Sequence, residues 1–434
     1  VIFKVKQKNP SSNNQNQLTI DTMRNLQVIR IINYMWVHIT FLVVSLGLAW
    51  SRLYYPNSPS LVNRVSYLVD DKPWMPPGFE ATPILGSHYF GDLQLPIAWA
   101  RYSNPWETDL IHRANFLPFG KYLLLPFSYL PIKLVFCLYV IGSIAILYVA
   151  VRKIIKLSDK TNLYKNWKIT FILFCILFVM SRPVLTDLDR GNFYTVSISL
   201  WVLAFVWLRE DKHKKFLFAM TLLVAIKWFL IIPMIPFILE KKLNLSVKLL
   251  AWISTVNFVS LVTVPGGLIN NLRSIIDTQK NYTDEWAIPY LMDGTSVASS
   301  VSKIHEYFFG TTQTVAFITE NINLLRFFSI VYLALALYIS SRLNLPMWVR
   351  LYFALSTITF DTFETMWYAQ MWISFVLLAW FYEERKNLND YRLVSLSLQF
   401  SALTMLIPLW VAFSINGVMR FNFNLILTPM FALL

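Results

Sequence analysis

The chain has 434 residues, of which 56% are apolar and only 14% charged, whereas an average soluble domain carries about 25% charged residues. That balance excludes an ordinary soluble enzyme and points to an all-α polytopic membrane protein. The net charge of +14 would suggest a nucleic-acid partner in a soluble protein. Here the positive residues fall in short turns between apolar runs, which is the orientation signal of a membrane protein, so nucleic acid is not expected as a partner.

Residues 1–30 are polar and carry Lys4, Lys6, Lys8, Arg24 and Arg30, which assigns them to the cytoplasm. They do not read as a cleavable signal peptide, so the first apolar run, 31–50, is expected to act as an uncleaved anchor. Everything from 31 to 434 reads as a single membrane domain. A long insert, 51–131, follows on the outer side. It is too long for a mere connection and is rich in prolines, aromatics and carboxylates.

The second span is expected at 132–151. The turn after it, 152–168, holds Arg152, Lys153, Lys156, Lys160, Lys165 and Lys168 against the single acid Asp159, a strongly cytoplasmic pattern. Spans at 169–185 and 193–208 enclose an outer turn, Asp187-Leu188-Asp189-Arg190-Gly191-Asn192. The run 216–239 contains Lys227 near its middle, then Pro233 and Pro236, and both of its flanks are basic. Two half-spans meeting near Lys227 keep both flanks inside, so a helical hairpin with Lys227 near its outer tip is expected. A span at 249–265 leads to a second outer loop, 266–324, and further spans are expected at 325–341, 349–361, 366–382, 393–413 and 418–434. The total is about twelve, with both termini inside.

Among candidate functional residues, Asp92 sits in the first insert among apolar and aromatic neighbours. It reads either as a helix N-cap or as a general base accepting the proton of an attacking hydroxyl. The stretch from Leu93 to Arg101 reads as amphipathic and interfacial. Arg190 offers a fork of donors for a phosphate, or pairs with Asp187 or Asp189 beside it. Lys227 either snorkels to the surface or holds a lipid phosphate. Glu364, Tyr368 and Gln370 are expected on the same side as Asp92 and suit a sugar pocket or the aromatic belt. His112 is a further donor. Cys137 and Cys175 lie in apolar runs without metal-ligand spacing, and the sequence has no phosphate-binding glycine loop and no serine-type nucleophile arrangement.

These pieces, in this order, resemble the bacterial polyprenol-phosphate-mannose-dependent α-mannosyltransferases of the C-type glycosyltransferase (GT-C) superfamily. The resemblance runs over most of the chain. It rests on Asp92 leading to Asn104-Pro105-Trp106, on the proline-rich entry from Leu117-Pro118-Phe119 to Leu130-Pro131, and on Asn192 in Asp189-Arg190-Gly191-Asn192, where the family's Gly-Gln pair is missing. Lys227 matches a lysine-centred hairpin whose proline is displaced to Pro233. Asp293-Gly294-Thr295-Ser296 and Phe363 to Gln370 resemble later segments, with Tyr368 and Gln370 where a histidine is expected.

The resemblance implies a GT-C-like bundle in a bacterial plasma membrane, with its active site on the extracytoplasmic side. The implied partners are a polyprenyl-phosphate-sugar donor, a glycolipid or cell-envelope glycan acceptor, and membrane lipids. It implies an inverting single displacement with Asp92 as base. Lys227 and Arg190 would stabilise the departing lipid phosphate, and neither a cofactor nor a metal is implied. The rival readings from the residues are a transporter or flippase, which predicts internal repeats and broken helices at the midplane, and a polymerase or ligase of lipid-linked glycans.

Overall fold

In a computed structural model the chain divides into two units, Val1–Tyr54 and Tyr55–Leu434. The residues described here all belong to the second: 91–107, 114, 116–158, 167–179, 181, 183, 184, 187, 188, 191–241, 243–282, 297–360, 367–383, 394, 395, 398, 410, 411, 421 and 422. The expected first span, the first forty residues of the first insert and most of the two last expected spans lie outside them.

The described residues are almost entirely helical. A short helix α1 (Gly91–Arg101) is followed by α2 (Pro118–Leu124), which a 3-10 turn, Leu125–Tyr129, extends. Next comes α3 (Ile132–Ser158), whose 27 residues are about 40 Å long, enough to cross a bilayer core. Pro131 sets its start, its carbonyl accepting the N–H groups of Leu134 and Val135, and Lys156 lies in its last turn.

Helix α4 (Trp167–Phe174) runs into a π-helical turn, Cys175–Val179. Such a turn displaces carbonyls from their usual partners. Ser374 donates to the Leu177 carbonyl at 2.9 Å and Ser181 to that of Phe178 at 2.8 Å.

The centre of the bundle is α5 (Tyr194–Arg209), which is apolar nearly all round and buried along most of its length, as expected for a helix enclosed by others. It packs on α3 and on α6 (His213–Ile226). After α6 the helix breaks at Lys227 (φ −136°, ψ 78°) and continues as a 3-10 stretch, Trp228–Met234, and the short α7 (Ile235–Leu239). Both limbs rise about 21 Å. Their far ends meet: Lys241 Nζ lies 2.8 Å from Asp211 Oδ1, and Arg209 Nη1 lies 2.8 Å from Glu240 Oε2. The segment is therefore a helical hairpin with Lys227 at its tip, and its two basic flanks lie side by side.

Helices α8 (Leu243–Val262), α9 (Leu268–Tyr282) and α10 (Val297–Phe309) follow. The segment expected as a plain outer loop, 266–324, thus carries two amphipathic helices. It also carries the start of α11 (Thr311–Ser341), a 31-residue helix much longer than the span expected at 325–341. Helix α12 (Met347–Phe360) packs on α11 and on α13 (Trp372–Tyr382), which a 3-10 turn, Trp367–Met371, introduces. Glu383, just past α13, accepts the N–H groups of Met347 and Trp348 and so caps α12. A two-residue antiparallel pair joins Trp410–Val411 to Phe421–Asn422.

Three helical stretches among the described residues are long and apolar enough to cross a membrane: Leu134–Ser158, Asn244–Val262 and Thr312–Ser341. The end of the bundle away from Lys227 is closed by ion pairs. Arg350 also bonds Glu240 and donates to the Ser340 carbonyl. The guanidinium groups of Arg209 and Arg350 lie 5.8 and 5.2 Å from the Phe237 ring centre.

Candidate functional site

The opposite end of the bundle is built around Asp187, which is fully buried in the turn before α5. Its carboxylate accepts the backbone N–H groups of Tyr194 (3.1 Å) and Thr195 (2.8 Å). It thereby satisfies donors that the first turn of α5 leaves without partners. Tyr139, on α3, donates to both Asp187 Oδ2 (3.4 Å) and the Asn192 carbonyl. Burial pushes the Asp187 carboxyl up to about 7, while the hydrogen bonds from Thr195 and Tyr194 and the nearby charge of Lys227 pull the other way. Asp187 is thus engaged by the start of α5; Arg190, read from the sequence as a phosphate ligand or as a partner of Asp187 or Asp189, lies outside the described residues.

The turn that holds Asp187 also presents Asn192. The Asn192 N–H donates to the Asp187 carbonyl at 3.0 Å. Gly191 has φ +72°, a conformation that glycine adopts without penalty. A Cβ there would come within 2.5 Å of Leu93 Cβ and 3.1 Å of Leu93 N. Only a glycine lets this turn press against the first residues of α1. The approach brings Asn192 Nδ2 within 3.1 Å of Asp92 Oδ2, so two residues a hundred positions apart share one hydrogen bond.

Asp92 lies in the first turn of α1, not ahead of it as an N-cap. Helix α1 is largely covered by protein: Leu93, Gln94, Ile97, Ala98, Trp99 and Ala100 are all buried. The reason is that α1 packs on α2 and the turn after it, so its weak amphipathic pattern does not decide its placement.

Lys227 faces the same end. Its Nζ lies 4.6 Å from the centre of the Tyr194 ring, a cation–π distance, and its charge acts on Asp187. Gly120 of α2 packs on the hairpin tip, where a Cβ would meet the Ala225 carbonyl at 2.7 Å. The tip is therefore held from the α2 side as well as from α5.

The outer segments are clasped to one another nearby. The Asn104 side chain accepts the Trp106 N–H at 3.1 Å and donates to Asn271 Oδ1 (2.9 Å) and the Pro265 carbonyl (3.2 Å). Trp106 is fully buried. Lys121 is buried with its Nζ on the Ser103 carbonyl at 2.5 Å, and burial lowers its pKa. Ser274 donates to Glu107 at 3.1 Å. The first insert and the segment after α8 thus form one polar seam beside the site.

Of the residues singled out from the sequence, Asp92 and Asn192 are joined directly, and Lys227 stands beside Tyr194 and Asp187. Gln370 is buried in the 3-10 turn before α13, which packs on α5. Tyr368 belongs to the same turn. Arg190, His112 and Glu364 lie outside the described residues. Three further residues belong to the cluster: Tyr139, Asp187 and Tyr194. The sequence showed Asp187 only as an acid of the outer turn and a candidate partner of Arg190, not as the residue that holds the start of α5. Tyr139 gave none, being one aromatic in a long apolar helix. Among the described residues no group of three or more His, Cys, Asp or Glu side chains could hold a metal ion.

A polar cluster at one end of a helical bundle, with helices long and apolar enough to cross a membrane, defines the class: an integral membrane protein. The profile of glycosyltransferase family 87 matches residues 117–360, more than half of the chain, and the chain belongs to that family. It is a membrane glycosyltransferase, with a sugar donor and an acceptor as substrates. The matched stretch includes Asn192 and Lys227 and begins after Asp92. Neither the curated proteins nor the solved structures contain a match.

Proposed function

We propose that this enzyme transfers a sugar, mannose first among the candidates, from a polyprenyl-phosphate-linked donor to a glycolipid or cell-envelope glycan at the outer face of the membrane. The observation that carries the reading is the hydrogen bond from Asn192 to Asp92, at the end of the bundle where Lys227 also stands. Asp92 is the general base. Asn192 donates to one carboxylate oxygen and fixes the orientation in which the carboxylate meets the acceptor hydroxyl. As that hydroxyl attacks the anomeric carbon, its proton passes to Asp92 and the bond to the lipid phosphate breaks. A single displacement of this kind inverts the anomeric centre and needs one carboxylate, not the pair used in glycoside hydrolysis.

The leaving group is a phosphate whose negative charge grows in the transition state. Lys227, at a hairpin tip and partly desolvated against Tyr194, stabilises that charge more strongly than a lysine in open water does. Arg190, adjacent to Gly191 in sequence, is the second cation of this reading, and His112, Glu364, Tyr368 and Gln370 complete the sugar-facing set. Family membership favours transfer over the transporter and polymerase readings.

The test compares purified wild type with Asp92→Asn, each incubated with polyprenyl-phosphate-mannose and a crude lipid extract. Loss of the base is expected to lower transfer by about 10²- to 10⁴-fold. Equal transfer by both proteins would remove Asp92 from the chemistry. Inactivity of both on this donor, with activity on another lipid-linked sugar, would reassign the donor and leave the base in place.

A further inference from the structure

The end of the bundle opposite Asp92 carries a second polar feature that sugar transfer does not use. Tyr139 and Arg152 both lie on α3, thirteen residues and so about 20 Å apart. Around Arg152 is a cleft of about 360 Å³ lined by Tyr148, Val149, Arg152, Lys153, Ile155, Lys156 and Thr170. Three of these are cations within five consecutive positions of one helix, and Arg152 lies 6.0 Å from the centre of the Tyr148 ring. Thr170, from α4, is only 3% exposed. Its hydroxyl has no hydrogen-bond partner among the described residues, although a buried polar group ordinarily has one.

Among the described residues, an acid that feels the cleft's charges is Glu210, past the end of α5. Its carboxyl is held below the ordinary range, first by its bond to Lys212 and then also by the charges of Lys153 and Lys156. That acid is already bound to Lys212.

The cleft is also bordered by apolar surface. Val149, on its wall, is 45% exposed and Phe171, next to Thr170, is 47% exposed. Phe171 and Phe174 pack edge-on to Tyr148. The site therefore offers cations and a hydroxyl donor to an anion, with an apolar border for what the anion is attached to. We propose that this cleft binds a phosphate-bearing anion, and that its apolar border suits it to the headgroup of an anionic phospholipid. Basic clefts between helices near a membrane surface bind such headgroups.

The test uses the full chain in detergent micelles and reads bound lipid by native mass spectrometry, with dioleoyl phosphatidylglycerol and dioleoyl phosphatidylcholine as probes. Wild type is expected to prefer the anionic lipid by roughly ten- to a hundredfold. Arg152→Gln with Lys156→Gln is expected to abolish that preference. Lys214→Gln with Lys215→Gln, which removes the same charge from the exposed start of α6, is expected to keep it. Equal loss in both pairs would mean diffuse attraction and would overturn the site.

Thr170→Val preserves side-chain shape and keeps the test open if the charge variants fold poorly. It is expected to weaken the anionic lipid several-fold, and an unchanged affinity would remove the hydroxyl from the site and with it the proposal. Ten millimolar inorganic phosphate is expected to leave the lipid bound; displacement would assign the cleft to free phosphate and overturn the lipid. None of these readouts requires sugar transfer, so their failure is distinct from failure of the proposed reaction.

Discussion

Gly191 is the residue on which the geometry of Asp92 depends. Any side chain there meets Leu93 Cβ at 2.5 Å and must also adopt φ near +72°. Gly191→Ala is expected to cost about 1–3 kcal/mol through strain and overpacking. It should lower transfer more than thermal stability, because the shift separates Asn192 from Asp92. Thermal denaturation alongside transfer rates checks this, and a stable variant with full activity would break the link. Asp187 gives a pH signature. Its carboxyl, raised to about 7 in the fold, sits near 3.9 in the unfolded chain. The folded state therefore binds the extra proton, and the stability this group contributes is present below about pH 4 and lost as the pH rises through 7. Asp187→Asn removes the titration, so its stability deficit relative to wild type should be largest near pH 4 and shrink toward pH 7. A deficit that grows over that range would mean that the acid is ionised when folded.

At the scale of elements, the hairpin around Lys227 depends on how its two ends are joined. Glu240 bonds both Arg209 and Arg350, and Arg350 is almost fully buried. Glu240→Gln leaves two guanidinium groups without their carboxylate. The expected loss is about 3 kcal/mol, read as a lower melting temperature, because a buried charge without its partner is costly. The hairpin itself was legible in the sequence. Lysines on both flanks and prolines in the second limb left no consistent single crossing. The apolar runs that became α3, α5, α8 and α12 were equally legible, since their composition alone forces burial in lipid or protein. The burial of α1 was not, because Gly91 to Arg101 is neither strongly apolar nor strongly amphipathic. Its place is set by Gly191 and by α2, which no local pattern records. Asp92, Asn192 and Lys227 could be named singly, but that Asp92 and Asn192 touch is a property of the fold. The two helices within 266–324 were hidden by their polar residues. In α9, buried Asn271 and Thr278 face the protein, an arrangement that reads as loop when only apolar positions are followed.

At the scale of the whole bundle, the described residues place different side chains at its two ends. One end holds Asp92, Asn192, Asp187 and Lys227 beside a polar seam. The other holds the ion pairs of the hairpin ends and the basic cleft on α3. Substitutions at the two ends are expected to act independently, since the ends lie about 20 Å apart along α3. Combining Arg152→Gln with Asn192→Ala should give a transfer rate no lower than the product of the two separate effects predicts; a clear departure in a double-mutant cycle would show that the ends communicate.

The Asn104 clasp has a consequence for how the enzyme comes into being. Asn104 meets Asn271 across 167 positions, and Asp92 meets Asn192 across 100. A chain emerging from the ribosome at about 5–20 residues per second holds Asp92 for several seconds before its amide partner exists. Roughly ten to thirty seconds separate the synthesis of Asn104 from that of Asn271. Both clasps therefore close late, and Asp92 waits without its amide partner until the segment carrying Asn192 has been made.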